Sequence, residues 1–513
     1  MFSRTRAILR GVFRGRNGRE SPFSVRLLAA ALLVSPASAA PNEAGVNLDV
    51  MTDWSPAWSF VDGFQHARTW LPQPTTGTFP WNTGQRLDVD GNANIKSLQP
   101  GQAAAALMFW DLEGHYPGGD YICRYDGVGE LDFHGSASLR SAAPGRAVVS
   151  VKPEAGGVVL RIVRTDPANP VRNIRFFMPG FESGSATFHP KFLELLRPFR
   201  VIRFMDWQRM NRDQSGRWAD RTTLESASQT GPAGVSLERM IELANTTGAD
   251  PWFCMPHRAD DDFVRKFAQM TRERLDPKRR VYVEYSNEVW NGIFPQANYA
   301  REEGLRLGLS GNAFQAQLRY YSQRSVEIFK IWQEVFAGSD RLVRVLSSQS
   351  VNPWTARTIL EWNDAGKKAD ALAIAPYFGG NLGSSAATAG MTVDQILDVC
   401  ESDIQSSGSI ISANAAAARE FNVDLISYEG GQHLAAVGAN QQNETMTRLF
   451  KEANEHPRMK ELYRLDAAQW RKSGGGLMVT YCLTSKYGKH GCFGLVRWQD
   501  QDLKTAPKYE AFR

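Results

Sequence analysis

The sequence predicts an α/β fold: a (β/α)8 TIM barrel with an antiparallel β-sandwich-like domain inserted after its first strand. Three observations predict it. From Pro190 onward, short apolar strands alternate with amphipathic helices. Between about Thr75 and Gly180, helical periodicity gives way to short β-type runs divided by turn residues, such as Tyr116-Pro-Gly-Gly-Asp120. Two late strands, beginning at Val281 and at Asp424, run into Glu288 and Glu429. Parallel barrels present reactive groups at the C-terminal ends of their strands in this way.

In chain order, Ala44 to Val50 reads as the opening strand. The β-type runs of the insert are Ala103 to Trp110, Tyr121 to Tyr125, Arg146 to Val151, Gly157 to Val163 and Val171 to Phe177. A short helix from Phe192 to Leu196 precedes strand Val201 to Met205, and a helix from Leu237 to Asn245 precedes strand Asp250 to His257. An amphipathic helix, Asp262 to Leu275, leads to the Glu288 strand. Helices from Asn312 to Ala337 precede strand Leu342 to Leu346, and strand Ala371 to Tyr377 follows. Two helices, Val393 to Val399 and Ser412 to Glu420, lead to the Glu429 strand, and Leu477 to Cys482 is the eighth. The expected boundaries are an export signal at 1–39, the start of the barrel at 40–65, the insert at 66–184 and the rest of the barrel at 185–513. No Gly-rich phosphate turn follows an early strand, which argues against a doubly wound nucleotide-binding sheet.

At 513 residues, with 42% hydrophobic and 22% charged residues, the composition is that of a globular protein with a large core. The net charge of +5 is concentrated at the N-terminus. Residues 1–39 hold seven Arg and one Glu, so the remainder is close to neutral and offers no basic surface for nucleic acid. A basic stretch from Arg4 to Arg26, the apolar run Leu27 to Val34 and the small residues Ala37-Ser-Ala39 have the order of a secretory signal. A periplasmic or secreted protein is expected, with no stable membrane insertion once the signal is cleaved. The five cysteines have no metal-ligand spacing; Cys482 and Cys492 bracket one loop and are either a local disulfide or free thiols.

The chemistry follows from the two glutamates. Strand C-termini share one rim, so Glu288 and Glu429 can face each other across it. Paired carboxyls suit glycoside hydrolysis, and at about 5–5.5 Å the retaining form, in which one protonates the leaving oxygen and the other attacks the anomeric carbon. Asn287 is placed for the substrate 2-hydroxyl, and Tyr377 or Tyr428 for holding the nucleophile ionised. Trp54, Trp207 and Trp290 are candidate sugar-stacking residues at rim positions, with core packing as their alternative. His257 beside Asp260-Asp-Asp262 lacks a metal-binding pattern, so neither metal nor cofactor is expected.

Asn287-Glu288 on the fourth strand and Glu429 on the seventh resemble the clan A glycoside hydrolases, in a form divergent from family 5. The resemblance covers about residues 44–62 and 185–513, and excludes the insert. It implies that Glu288 is the acid/base and Glu429 the nucleophile. It also implies that Arg203 supports the nucleophile and that His257 and Tyr377 belong to the substrate site. Two departures stand out. Ala375 occupies the place of a sixth-strand histidine, and no eighth-strand tryptophan is evident, leaving Tyr481, Tyr487 or Trp498 to replace it. The expected substrate is a β-linked polysaccharide or oligosaccharide. The alternative is a non-catalytic carbohydrate-binding protein on the same barrel.

Overall fold

Eight short strands, most of them Val-, Ile-, Leu- or Ala-rich, form a single parallel sheet: β1 Ala44–Asn47, β2 Val201–Arg203, β3 Asp250–Met255, β4 Val281–Tyr285, β5 Leu342–Ser347, β6 Ala371–Ile374, β7 Asp424–Ser427 and β8 Met478–Thr480. The structure is a computed structural model that describes residues 44–77, 80–154 and 156–513. The expected export signal at 1–39 lies outside the described residues. Strand order is β7-β6-β5-β4-β3-β2-β1-β8. Backbone bonds from Gly476 to Leu425 (2.8 Å) and from Ser427 to Leu477 (2.9 Å) join β8 to β7, closing the sheet into the expected barrel.

Alternation along each strand divides the apolar residues into two layers. Val201, Trp252, Cys254, Tyr282, Val343, Val345, Ala371, Ala373, Ile426 and Val479 pack together in the barrel interior. Val46, Ile202, Phe253, Val283, Leu346, Leu372 and Leu425 pack outward against the helices. Those helices include Leu237–Thr247, Asp261–Arg274, Ala313–Phe336, Val393–Glu420 and Arg458–Lys472. Asp260 caps the second of these through the Phe263 N–H, and Thr392 with Gln395 forms a capping box on the fourth.

The two helices expected within Val393 to Glu420 are one continuous helix of 28 residues. The Ser- and Gly-rich middle of this helix packs against the helix Arg458–Lys472. A Cβ on Gly408 would lie 2.0 Å from the Gln469 side chain, so glycine lets the neighbouring helix approach.

Between β1 and β2 the chain builds two four-stranded antiparallel sheets. One is ordered Leu71–Pro74, Gln102–Met108, Val158–Thr165, Gly129–Gly135, and the other Arg172–Phe177, Gly119–Asp126, Arg146–Val151, Ala137–Ala143. Leu160, Ile162 and Phe133 of the first share one apolar core with Tyr121, Val149 and Phe176 of the second, as in a β-sandwich. Trp58, Phe64 and Trp498, from segments flanking barrel strands, complete that core and join sandwich to barrel. All five cysteines are buried and free. No helix among the described residues is long and apolar enough to cross a membrane.

Candidate active site

Parallel register sets the first row of the site. Asn47, Arg203 and Trp252 are register partners on β1, β2 and β3, and Cys254 and Glu284 on β3 and β4. Arg203 is fully buried in the barrel mouth, and all five of its N–H donors are engaged. Nε and Nη2 donate to Glu284 Oε2 (3.2 and 2.8 Å), Nη1 to Asn47 Oδ1 (3.2 Å) and Glu429 Oε1 (3.1 Å), and Nη2 also to Asn287 Oδ1 (2.8 Å). Burial works against the guanidinium charge, but Glu284 and Glu429 outweigh it.

Glu284 is the residue that the sequence concealed. It lies in a strand otherwise apolar and aromatic, is fully buried, and accepts from Trp252 Nε1 (2.9 Å) and Ser347 Oγ (2.7 Å) besides Arg203. A charge amid a buried run was the available signal, since an unpaired interior carboxylate is prohibitively costly.

Glu429 follows β7. Its Oε2 accepts from Tyr377 Oη at 2.9 Å. Tyr377–Phe378 pairs in parallel with Gly431–Gln432, which brings the phenol alongside the carboxylate. Tyr428 serves the other glutamate: its Oη donates to Glu288 Oε1 at 2.9 Å, and Asn291 Nδ2 donates to Oε2 at 2.9 Å. Ser286 and Glu288 both have left-handed backbone, with φ of 59° and 42°. Left-handed backbone is unfavourable for side chains of this kind, and such strain concentrates at working sites. Asn287 is held by Arg203 on its oxygen, and its amide donates to Asn211 (3.0 Å). Its second amide hydrogen has no partner among the described residues.

Burial raises Glu288, and the bonds from Asn291 and Tyr428 draw it part of the way back. Burial pushes Glu429 up to about 8 against the pull of Arg203, with the charges of Glu288 and Asp206 adding to the rise. Arg203 donates directly to Glu429, whereas Glu288 meets only the neutral donors Tyr428 and Asn291, so the partners of Glu429 favour its charged form more strongly.

The mouth holds two further carboxyls. Burial and the neighbouring charge of Asp206 push Asp49 up to about 7, and burial pushes Asp206 to about 6 against a hydrogen bond from Tyr481 Oη (2.9 Å). Of the three aromatics available to replace the absent tryptophan, Tyr481 alone faces this mouth. Tyr487 is buried with its hydroxyl on the Gly494 carbonyl, and Trp498 lies in the sandwich core stacked on His115.

One expected position is corrected, and three others are placed by the structure. Trp207 is 2% exposed, enclosed by Phe60, Phe192 and Phe204, so it packs the core and offers no face to a sugar. His257 is buried and bonded to Asp213 (3.0 Å), apart from the Arg203 cluster. Trp290 is half-buried against the barrel core two residues beyond Glu288, and Trp54 is exposed on the loop after β1.

No protein-family model matches the chain, and no curated protein sequence matches it. Solved structures similar to it include the GH51 arabinofuranosidase from Xanthomonas axonopodis pv. citri, at 12% identity and a TM-score of 0.41 over 63% of this chain and 65% of that one. Another is the family 26 endo-β-1,4-mannanase from Cellulomonas fimi, at 12% identity and a TM-score of 0.32 over 55% and 60%. The family 5 xyloglucanase from Paenibacillus pabuli is at 11% and 0.36 over 66% and 94%. The chain thus spans less than two thirds of the length of the arabinofuranosidase and of the mannanase. By its own strand order and the bonds between β7 and β8 the chain is a closed (β/α)8 barrel carrying a β-sandwich, and these three solved structures are glycoside hydrolases.

Proposed function

We propose that the chain is an exported retaining glycoside hydrolase that cleaves a β-linked polysaccharide or oligosaccharide by double displacement. Glu429 attacks the anomeric carbon while Glu288 donates its proton to the departing glycosidic oxygen. Glu288 then takes a proton from water as that water displaces Glu429 from the covalent intermediate. Arg203 and Tyr377 orient the Glu429 carboxylate and favour its charge, and the free amide hydrogen of Asn287 receives the 2-hydroxyl.

The observation that carries this reading is the unequal partnering of the two glutamates. One is gripped by a guanidinium and a phenol; the other is held by two neutral donors. An acid and a nucleophile require unlike surroundings, and the guanidinium that donates to Glu429 alone supplies that difference.

The test is hydrolysis of aryl β-glycosides and soluble β-linked polysaccharides, with the first-formed anomer followed by NMR. Expected are a β-anomeric product and loss of turnover in Glu429→Gln with sugar binding kept. An α-anomer would replace retention by inversion. Binding without turnover of any substrate in the wild type would make the chain a carbohydrate-binding protein.

A further inference from the structure

Exposed tryptophan is costly, and among the described residues only Trp54, Trp81 and Trp354 are more than a third exposed. Two of these three share one arginine. Arg68 lies over the Trp54 ring at 5.1 Å and over the Trp81 ring at 4.7 Å, within cation–π range of both. The Trp110 ring lies 5.3 Å from that of Trp81, tilted by 59°.

The arrangement is built from two parts of the fold. Trp81 and Trp110 come from the sandwich, and Trp54 from the loop that leaves β1 at the barrel mouth. Arg68 is fixed by Asp53, whose side chain is 2% exposed, through Nε and Nη2 (3.0 and 2.9 Å). The Trp110 N–H bonds to the Asp53 carbonyl (2.8 Å) and the Arg68 N–H to the Leu107 carbonyl (2.9 Å). A part-buried ion pair therefore holds the guanidinium against two indoles that are 44% and 48% exposed. Among the described residues, Arg68 Nη1 has no hydrogen-bond partner.

Flat apolar faces beside a free N–H donor match a pyranose ring, which has C–H groups on its faces and hydroxyls around its edge. A uronate or other acid is not required, since Asp53 already neutralises Arg68. The platform is preorganised, so a ligand forfeits little ordering entropy on meeting it.

We propose that Trp54, Trp81 and Trp110, stapled by Arg68, form a distal subsite that stacks a neutral sugar unit of a polymeric substrate whose chain continues into the mouth between Glu288 and Glu429. The sandwich is thereby part of the substrate-binding surface. The proposal rests on the glycosidase reading for the identity of the ligand.

The experiment is affinity electrophoresis of the full chain in native gels containing hydroxyethylcellulose, galactomannan, arabinoxylan, xyloglucan or a β-1,3-glucan. Hydrolysis of the same polymers is scored in parallel. Wild type is expected to be retarded by at least one polymer. Trp54→Ala and Trp81→Ala should each weaken that binding by at least about fivefold, with thermal midpoints within about 3 °C of wild type. Trp354→Ala, exposed and outside the staple, should be retarded as wild type is. Retardation undiminished in both staple variants, a loss equalled by Trp354→Ala, or a wild type retarded by no polymer overturns the subsite. Retardation lost in the staple variants while wild type hydrolyses nothing leaves the subsite standing and overturns only the hydrolase.

Discussion

Arg203 and Glu429, on opposite sides of β1 in the ring, meet at 3.1 Å in the barrel mouth, and the same guanidinium holds Glu284, Asn47 and Asn287. One side chain thus fixes the positions of groups from β1, β4 and β7. Lysine supplies three donors where arginine supplies five, with no planar fork. Arg203→Lys is expected to lose about 3–5 kcal/mol of stability, because Glu284 keeps its burial and loses its partner. Its kcat should fall by at least about 10²-fold through misplacement of Glu429. Denaturant unfolding and steady-state kinetics on the same preparation check both.

The two tyrosines give a paired test by pH. Each stabilises the charged form of its glutamate, so removing either raises that glutamate's pKa. Tyr377→Phe should move the acid limb of kcat/KM upward, because Glu429 must be ionised to act. Tyr428→Phe should move the alkaline limb upward, because Glu288 must be protonated. Shifts of about one pH unit correspond to one hydrogen bond to a charged group. Movement of the same limb by both variants would refute the assignment of roles.

Asp466, on helix Arg458–Lys472, is buried; burial and the charge of Asp403 push it up to about 8 from 3.8. A carboxyl raised by folding stabilises fully below its unfolded pKa and loses that contribution as pH rises through the folded one. Thermal stability should therefore decline between about pH 4 and 8, with Glu429, Asp49 and Asp206 contributing in the same direction. Asp466→Asn should raise the Tm at pH 8 and leave it unchanged near pH 4. Calorimetric scans across that range would show it.

Trp207 and Trp54 separate packing from exposure. Trp207→Ala leaves a cavity within an aromatic cluster and should cost about 3–5 kcal/mol. Trp54→Ala removes one face of the Arg68 stack and should cost less than about 1 kcal/mol. Denaturant midpoints of the two variants give the comparison.

The strands ending in Glu288 and Glu429 were legible because buried parallel strands are short and apolar, and polar residues at their ends mark the rim. Arg203 and Tyr377 emerged with them, at the resemblance's positions. Glu284 stayed hidden, since sequence shows a charge without showing that Arg203, Trp252 and Ser347 converge on it from three other strands. Trp207 misled for a related reason. It lies in the turn beyond β2, where strand alternation has ended and no longer says which way a side chain faces. The sandwich strands Leu71–Pro74, Gly129–Gly135 and Ala137–Ala143 were missed, because Pro, Gly and Ser dilute the β signal in strands that cross-strand pairing nevertheless holds.

Antiparallel pairing at the base of the sandwich has a consequence for how the barrel assembles. Phe60 bridges Phe188, Asp62 bridges Phe177, and the Val61 N–H bonds to the Thr187 carbonyl at 3.0 Å. The chain therefore enters and leaves the sandwich at a single narrow neck. Without it, docking β1 against β2 would require closing a loop as long as the whole insert. With the neck zipped, the search is that of a hairpin, and the logarithmic closure entropy falls accordingly. The neck thus shortens the effective loop across which β1, the strand whose two neighbours are both remote in sequence, must find β2.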